Sequence, residues 1–475
     1  MSAFLFAGVG VAFCGMITVG LLPFLTRNGM PVLILPFNLT VLMLLYAMRQ
    51  RIRDGRPKSV DFLLGTPEEN LSFFRTRLSR FGAHYVARFA APYLGRWTCT
   101  QGVDGETSHQ GPWRHAFDFE VLGSDDEPFK EKGRTLSDYH CYRLPVLATA
   151  DGKVVKVVDG VKDNKLGEVN LDKNWGNLVI LLHGPGVYSM VCHLSPESIK
   201  VKEGESVSKG DQLGLCGNSG RSPIPHIHFQ LQATARVGAP TIHAELHDLI
   251  SEGEGGHVFH RTLVPDKGEQ VRNLEPEEDL SRLLTLTYGE ELTFALGGET
   301  RGGGAARTET VVPDIDLYGN LLLRSRGRST SMVYNRAETH FTVFDTLGRR
   351  GSVLHLIQAA LARVPFESSD RLTWDDVLPL RHFLPFSLRL ALDLVSPFVQ
   401  RADVSMSYKA SRQGKTLEVT GVSRRLGSDG EPLVRTRALL SEARGIEEVE
   451  LTVRGRTRCA VRVEPETKTD KPAGR

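Results

Sequence analysis

The sequence lacks most of the features that settle a class quickly. Net charge is only +2 over 475 residues, so it has no electrostatic footprint for nucleic acid, and none is expected as a partner. The six cysteines, Cys14, Cys99, Cys141, Cys192, Cys216 and Cys459, form no C-x-x-C pair. That argues against a cysteine zinc site, and a disulfide framework is not expected in a chain this large. Buried free thiols are the plain reading. No H-E-x-x-H helix motif occurs, so that large zinc-peptidase design is excluded. No internal repeat is visible. What is present is ordinary globular composition, 41% hydrophobic and 24% charged, on a length that suits two or three domains.

The exception is the N-terminus. Ala3 to Leu25 and Met30 to Met48 carry no charge. As helices they would be ~34 and ~28 Å long, each enough for a ~30 Å hydrocarbon core. They predict a transmembrane helical hairpin over residues 1–50, turning near Arg27 to Gly29, with membrane lipid as a partner. Five basic residues follow, Arg49, Arg51, Arg53, Arg56 and Lys58. They favour a cytoplasmic side for both ends, in conflict with the outer, periplasmic side of an inner membrane that the resemblance given below implies.

Residues 51–95 predict a juxtamembrane helix and linker, with apolar Leu71, Phe74, Leu78 and Phe81 at helical spacing. From about Tyr85 the pattern turns to strands, clearest at Val154–Val158, Leu178–Leu182, Tyr188–His193 and His226–Leu231. Residues 265–465 predict an α+β accessory domain. Helices are expected at Ser352–Arg363 and Trp374–Gln400, and short strands at Val404–Lys409, Thr416–Val422, Leu433–Leu440, Val449–Val453 and Cys459–Val463. The polar tail 466–475 has a disordered composition.

Polar chemistry concentrates in His109, Asp118, His193, His226 and His228. In a strand, His226 and His228 share one face, while Ile227 and Phe229 turn to the other. That suits one metal ligand beside one catalytic imidazole. Around them stand Pro145 to Val155, Asn174-Trp175-Gly176-Asn177, Tyr188 to Leu194, Val201 to Asp211 and Gly214 to Ser222. In this order the motifs resemble those of the lysostaphin-like murein endopeptidases, whose fold is a duplicated hybrid β motif. The resemblance covers about Gln101 to Gln232.

The resemblance implies a mainly β, antiparallel peptidase domain, here over residues 96–264. It implies one Zn²⁺ held by a histidine, an aspartate and the second histidine of H-x-H, with two further catalytic histidines. Carried over, His228 and Asp118 are ligands, and His226 and His193 are catalytic. Asn177, Asn218 and Ser219 are expected at the substrate. For the first histidine, the common three-residue gap before the aspartate is missing. His115 lies at an odd offset from Asp118, on the opposite strand face unless the chain bulges. His109 sits in a loop able to fold back, so it is the expected ligand, with His115 the alternative.

Two neutral imidazoles and one carboxylate leave zinc an open fourth position. The implied function is a membrane-anchored zinc metalloendopeptidase cutting peptidoglycan peptides. The alternative is a catalytically silent wall-binding or hydrolase-activating module. Residues Leu33 to Leu45 also resemble, faintly, the closing helix of bacterial urea transporters.

Overall fold

A computed structural model describes residues 87–464, apart from residues 254, 299–306, 318, 328–329, 349–350, 370, 380–382, 384–402 and 426–429. By contacts the chain divides into residues 1–62 with 384–402, and residues 63–383 with 403–475. The description below concerns the second unit.

Thirteen strands build the part that carries the conspicuous histidines. They are β1 (Trp97–Gln101), β2 (Ala116–Glu120), β3 (Pro145–Leu147), β4 (Gly152–Val158), β5 (Asn177–Gly184), β6 (Val187–Leu194) and β7 (Ser206–Val207). Then follow β8 (Gln212–Leu215), β9 (Ile227–Gln232), β10 (Thr241–Ile242), β11 (Leu246–Gly253), β12 (Gly256–Leu263) and β13 (Gln270–Asn273). Antiparallel pairing runs β13–β1–β2–β9–β6–β5–β4–β7. Along β2 and β9 the alternation is strict. Phe117, Phe119, Ile227, Phe229 and Leu231 enter one apolar core with Trp97, Val191 and Leu246. Asp118, His226, His228 and Gln230 take the other face.

The remaining strands wrap a second core. They are β14 (Leu292–Gly298), β15 (Arg307–Ile315), β16 (Leu321–Ser325), β17 (Ser331–Arg336), β18 (His340–Leu347) and β19 (Arg363–Pro365). After these come β20 (Thr373–Pro379), β21 (Asp403–Gln413), β22 (Thr416–Ser423), β23 (Val434–Ser441), β24 (Gly445–Val453) and β25 (Arg456–Val463). Each pairs antiparallel with its neighbour in sequence except β19 with β20, and β25 returns to pair with β14. The twelve strands enclose a helix.

Two α-helices occur among the described residues, α1 (Glu278–Leu283) and α2 (Val353–Ala360). In α2 every residue but His355 is buried, as expected of a helix apolar nearly all round. Its start is secured by Glu309 of β15, which accepts from Ser352 Oγ at 2.5 Å and from the Val353 amide at 3.2 Å. A carboxylate there complements the positive end of the helix.

Several expectations need correction. Among the described residues no helix is long and apolar enough to cross a membrane. The segments expected to form the transmembrane hairpin, and the one resembling urea transporters, lie outside the described residues. Anchoring by two helices, a lipid partner and an inner-membrane location are therefore unsupported, and the described fold is mostly β. The juxtamembrane helix and the tail also lie outside. In the C-terminal region Thr373–Pro379 is a strand paired with β21, not the start of a long helix. Its Trp374 and Leu378 are buried at period four while Asp375 and Val377 are exposed, a spacing that helical and strand patterns share over so short a run. The helix at Ser352–Arg363 and the five later strands fall where the pattern placed them.

One buried group gives this unit a pH limit. His340 is 4% exposed and its Nδ1 lies 3.6 Å from Asp248 Oδ1. Burial, aided by Arg363, Arg88 and Arg261 and opposed by Asp248, lowers its pKa to about 4. Above the unfolded value of ~6.5 both states are neutral and nothing is lost. Below it the unfolded chain takes up a proton that the folded chain refuses, so stability falls as pH drops towards 4. The expected loss between pH 7.5 and 4.5 is about 2–3 kcal/mol. Urea midpoints of the wild type and of His340→Gln should therefore diverge in their pH dependence over this range. Parallel curves would contradict it.

Candidate metal centre

The register of three strand pairs assembles one row across the sheet. Gln101 faces Asp118, Asp118 faces His228, and His228 faces Cys192. Gln101 reaches this row through a bulge after Cys99. Without it, alternation would send Gln101 to the core side with Trp97 and Cys99.

His109 arrives from the loop between β1 and β2. Gln101 Oε1 accepts the amides of Thr107 and Ser108 at 2.9 and 3.0 Å. Its Nε2 donates to Ser108 Oγ and to Asp118 Oδ2 at 2.8 and 2.7 Å. One glutamine thus ties the loop to the aspartate. Gly105 packs on that glutamine so closely that a Cβ would lie 2.3 Å from Gln101 Cγ. The folded-back loop puts ligand atoms of His109, Asp118 and His228 within 4.8 Å of one another, all three residues buried. His115 stands apart, against the ring of His243 at 5.5 Å.

Hydrogen-bond partners fix which ring nitrogen of each histidine is bare. Carbonyl oxygens only accept, so a ring nitrogen facing one carries the proton. His109 Nδ1 faces Gly102 O at 3.0 Å, His193 Nδ1 faces Ser219 O at 2.7 Å, and His226 Nδ1 faces Ile224 O at 2.9 Å. In their neutral forms all three therefore carry a bare Nε2.

The consequence at Asp118 is electrostatic. His109 Nε2 lies 3.2 Å and His228 Nδ1 2.9 Å from the same Asp118 Oδ1. The lone pair of neutral His109 meets a carboxylate there, which is repulsive unless positive charge lies between them. Extra protons on the rings or one shared cation would supply it. Burial works against a charged Asp118, but His226, His109 and His228 outweigh it and hold the carboxyl well below the usual range. His109 is raised despite its burial, through Asp118. Burial, with His226 and His228, pushes His193 well down, so that ring is neutral. A borderline-soft divalent ion suits two imidazoles and a carboxylate.

His193 and His226 join from the side, with ring centres 4.9 Å apart and His193 5.9 Å from His228. His193 gets there by breaking the alternation of β6. Cys192, paired with His228, holds the site's face among Leu178, Ile180 and Met190. Strict alternation along β6 would place His193 on the face opposite Cys192. Instead, a left-handed backbone at His193, φ 62°, returns its ring to the same side. Such a conformation costs a non-glycine residue ~1–3 kcal/mol and clusters at functional sites.

Asn177, Asn218 and Ser219 are fully buried. Asn177 Nδ2 donates to Val161 O and Leu194 O, Ser219 Oγ donates to Leu194 O, and Asn218 Oδ1 accepts from Ser222 Oγ. They brace the loop whose Ser219 carbonyl orients His193. Gly176 is required at this crossing. Its φ is +57° and an added Cβ would sit 2.4 Å from Ser219 Oγ.

Trp175 stands in a motif already visible in the sequence, whereas Trp113, Gln230 and Glu120 escaped the sequence reading. Trp175 stands 5.6 Å from the His228 ring, and Trp113, two-fifths exposed, stands 6.1 Å from Trp175. Gln101 and Gln230 contact the ligand residues directly. Glu120 shares the face of Asp118, and burial, with help from Asp118, raises its carboxyl. Parity along β2 and β9 marks Glu120 and Gln230 once the row is known.

This is the kind of site expected of a β-sheet metallohydrolase. Residues 138–240 match the profile of Peptidase family M23, and the chain carries a domain of that family. The match holds His193, His226 and His228; His109 and Asp118 lie upstream and join through the β2–β9 pairing. The chain is 43% identical over 61 residues to peptidoglycan DD-endopeptidase ShyA of Vibrio cholerae, covering 13% of this chain and 14% of that protein. It is 34% identical over 96 residues to an uncharacterized metalloprotease of Haemophilus influenzae, covering 20% and 18%. Among solved structures, the catalytic domain of lysostaphin from Staphylococcus simulans shares 19% identity over 31% of this chain and 87% of that one, with a TM-score of 0.19. The chain thus spans less than a fifth of the length of these two curated relatives.

Proposed function

We propose that this chain is a zinc metalloendopeptidase that hydrolyses peptide bonds of peptidoglycan. The observation that carries the reading is the convergence of one imidazole nitrogen each from His109 and His228 and the Asp118 carboxylate, all buried and within 4.8 Å of one another. Zinc bound there would polarise a scissile carbonyl and acidify a water. His109, Asp118 and His228 would hold it.

The remaining chemistry falls to His193 and His226. Each spends Nδ1 on a backbone carbonyl and presents Nε2 to the site. Such a nitrogen can take the proton of an attacking water, hand it to the leaving amine, or in its protonated form stabilise the developing oxyanion. Similarity to a peptidoglycan DD-endopeptidase of Vibrio cholerae supports a peptidoglycan substrate. The two tryptophans offer apolar walls beside the metal position, and the C-terminal twelve strands serve as an accessory region whose core also takes in Ile250 and Phe259 of β11 and β12.

Release of soluble muropeptides from purified peptidoglycan by the full chain tests this. Release should stop with a chelator and return with zinc. Release that persists after complete zinc removal would refute it. A zinc-loaded chain inactive on several wall types would favour the silent binding module.

A further inference from the structure

We infer that Gln230 and Gln232 are positioning residues that fix the tautomer of His228, so that its Nδ1 stays bare towards the metal centre. The inference rests on the metal-centre reading above.

The chain of reasoning starts at backbone carbonyls, whose role is not adjustable. Gln232 Nε2 lies 2.7 Å from Thr234 O and 2.9 Å from Arg236 O. Both partners can only accept, so this end of the amide is the NH₂ group and the other end is the oxygen. That oxygen lies 2.8 Å from Gln230 Nε2, which also lies 3.2 Å from Ala239 O. Flipping the Gln230 amide would set oxygen against oxygen at both contacts. Gln230 Oε1 is therefore committed to the third contact, 3.0 Å from His228 Nε2. An amide oxygen only accepts, so Nε2 of His228 carries the proton. In the neutral ring Nδ1 is then bare, and Nδ1 is the atom 2.9 Å from Asp118 Oδ1.

Three residues at offsets of two on β9 thus relay a fixed polarity from a loop to a ligand. Both glutamines are fully buried. A buried amide is costly unless every bond is made, and here each has a partner of the right sign. The same loop meets Trp175: an added Cβ at Gly238 would lie 2.3 Å from its Nε1. The outer partner of a metal-bound histidine typically sets ring orientation, and its loss weakens metal affinity by about 10–100-fold.

The test uses the full chain. Zinc affinity is measured by competition with a chromophoric chelator, and the His228 tautomer by long-range ¹⁵N–¹H NMR of histidine-labelled protein near pH 8.5. Gln230→Leu is expected to bind zinc about 10–100-fold more weakly and to lose the single Nε2–H tautomer. Gln230→Glu keeps an acceptor against His228 and should keep the single Nε2–H tautomer, at a cost in stability because its second oxygen meets Gln232 Oε1 and Ala239 O. Gln232→Leu frees the Gln230 amide to flip, and should mix the tautomers with a smaller loss of affinity. Thermal unfolding of each variant separates this from general instability. Wild-type affinity and an unchanged tautomer in folded Gln230→Leu would overturn the inference. A wild-type chain that takes up no zinc would overturn the metal reading instead, while the tautomer measurement would still decide the role of the glutamines.

Discussion

His226→Ala is expected to leave zinc bound and to slow muropeptide release by about 10²–10⁴-fold, the range of a general acid–base group. The expectation follows from geometry. His226 Nε2 lies 3.8 Å from Asp118 Oδ1, beyond a direct bond, whereas His109 and His228 sit at 3.2 and 2.9 Å. Removing the ring therefore leaves the His109–Asp118–His228 group complete. What is lost is the bare Nε2 of a ring whose residue is 8% exposed and whose Nδ1 is held by Ile224 O and Ser222 Oγ. His193→Ala should give the same split, full metal with slow turnover. The double variant should fall short of the product of the two losses, because both rings serve one proton route. Metal content by atomic absorption and initial rates on the same preparations decide it. Two folded, zinc-replete variants with wild-type rates would remove both residues from the mechanism.

How much of this was legible in the sequence depends on period. Strands that alternate strictly could be read: β9 puts His226 and His228 together and sends Ile227 and Phe229 to the core, and β2 does the same with Asp118 against Phe117 and Phe119. The family-like order of motifs located this region, and the match over residues 138–240 lies within it except at its C-terminal end. What the period cannot reach lies where alternation is broken. The bulge that turns Gln101 to Asp118 and the left-handed residue that turns His193 to His226 are single backbone events. A two-residue period cannot encode either. Asn177, Asn218 and Ser219 were expected at the substrate from the resemblance. Their burial reflects a different need, since a loop crossing inside the fold must pair its carbonyls and amides. The C-terminal region carried no recognisable chemistry. Its strand spacing was readable, whereas the closure of β25 on β14 is a long-range pairing with no local signal.

His109→Ala should lower zinc affinity by about 10³-fold, taking each of three ligands to carry roughly 4 kcal/mol of the binding energy. His115→Ala should leave it unchanged. The two residues compete on paper, since both precede Asp118 in a stretch of ten. The fold separates them by strand parity. His115 adjoins β2 at an odd offset from Asp118, its amide bound to Thr241 Oγ1 and its ring against His243. His109 reaches the carboxylate only because Gln101 gathers the amides of Thr107 and Ser108 while donating to Asp118. The Gly102 carbonyl then fixes the ring's polarity from behind. Losing His109 leaves Asp118 and His228 as a two-ligand site, one short of what a catalytic zinc site keeps. Asp118→Asn should fall between these extremes, because it retains an oxygen donor but removes the charge that balances the ion. Equilibrium dialysis against buffered zinc measures all three. Full retention in His109→Ala together with loss in His115→Ala would show that the loop's histidine is structural and that β2 bulges to bring His115 inward when metal binds.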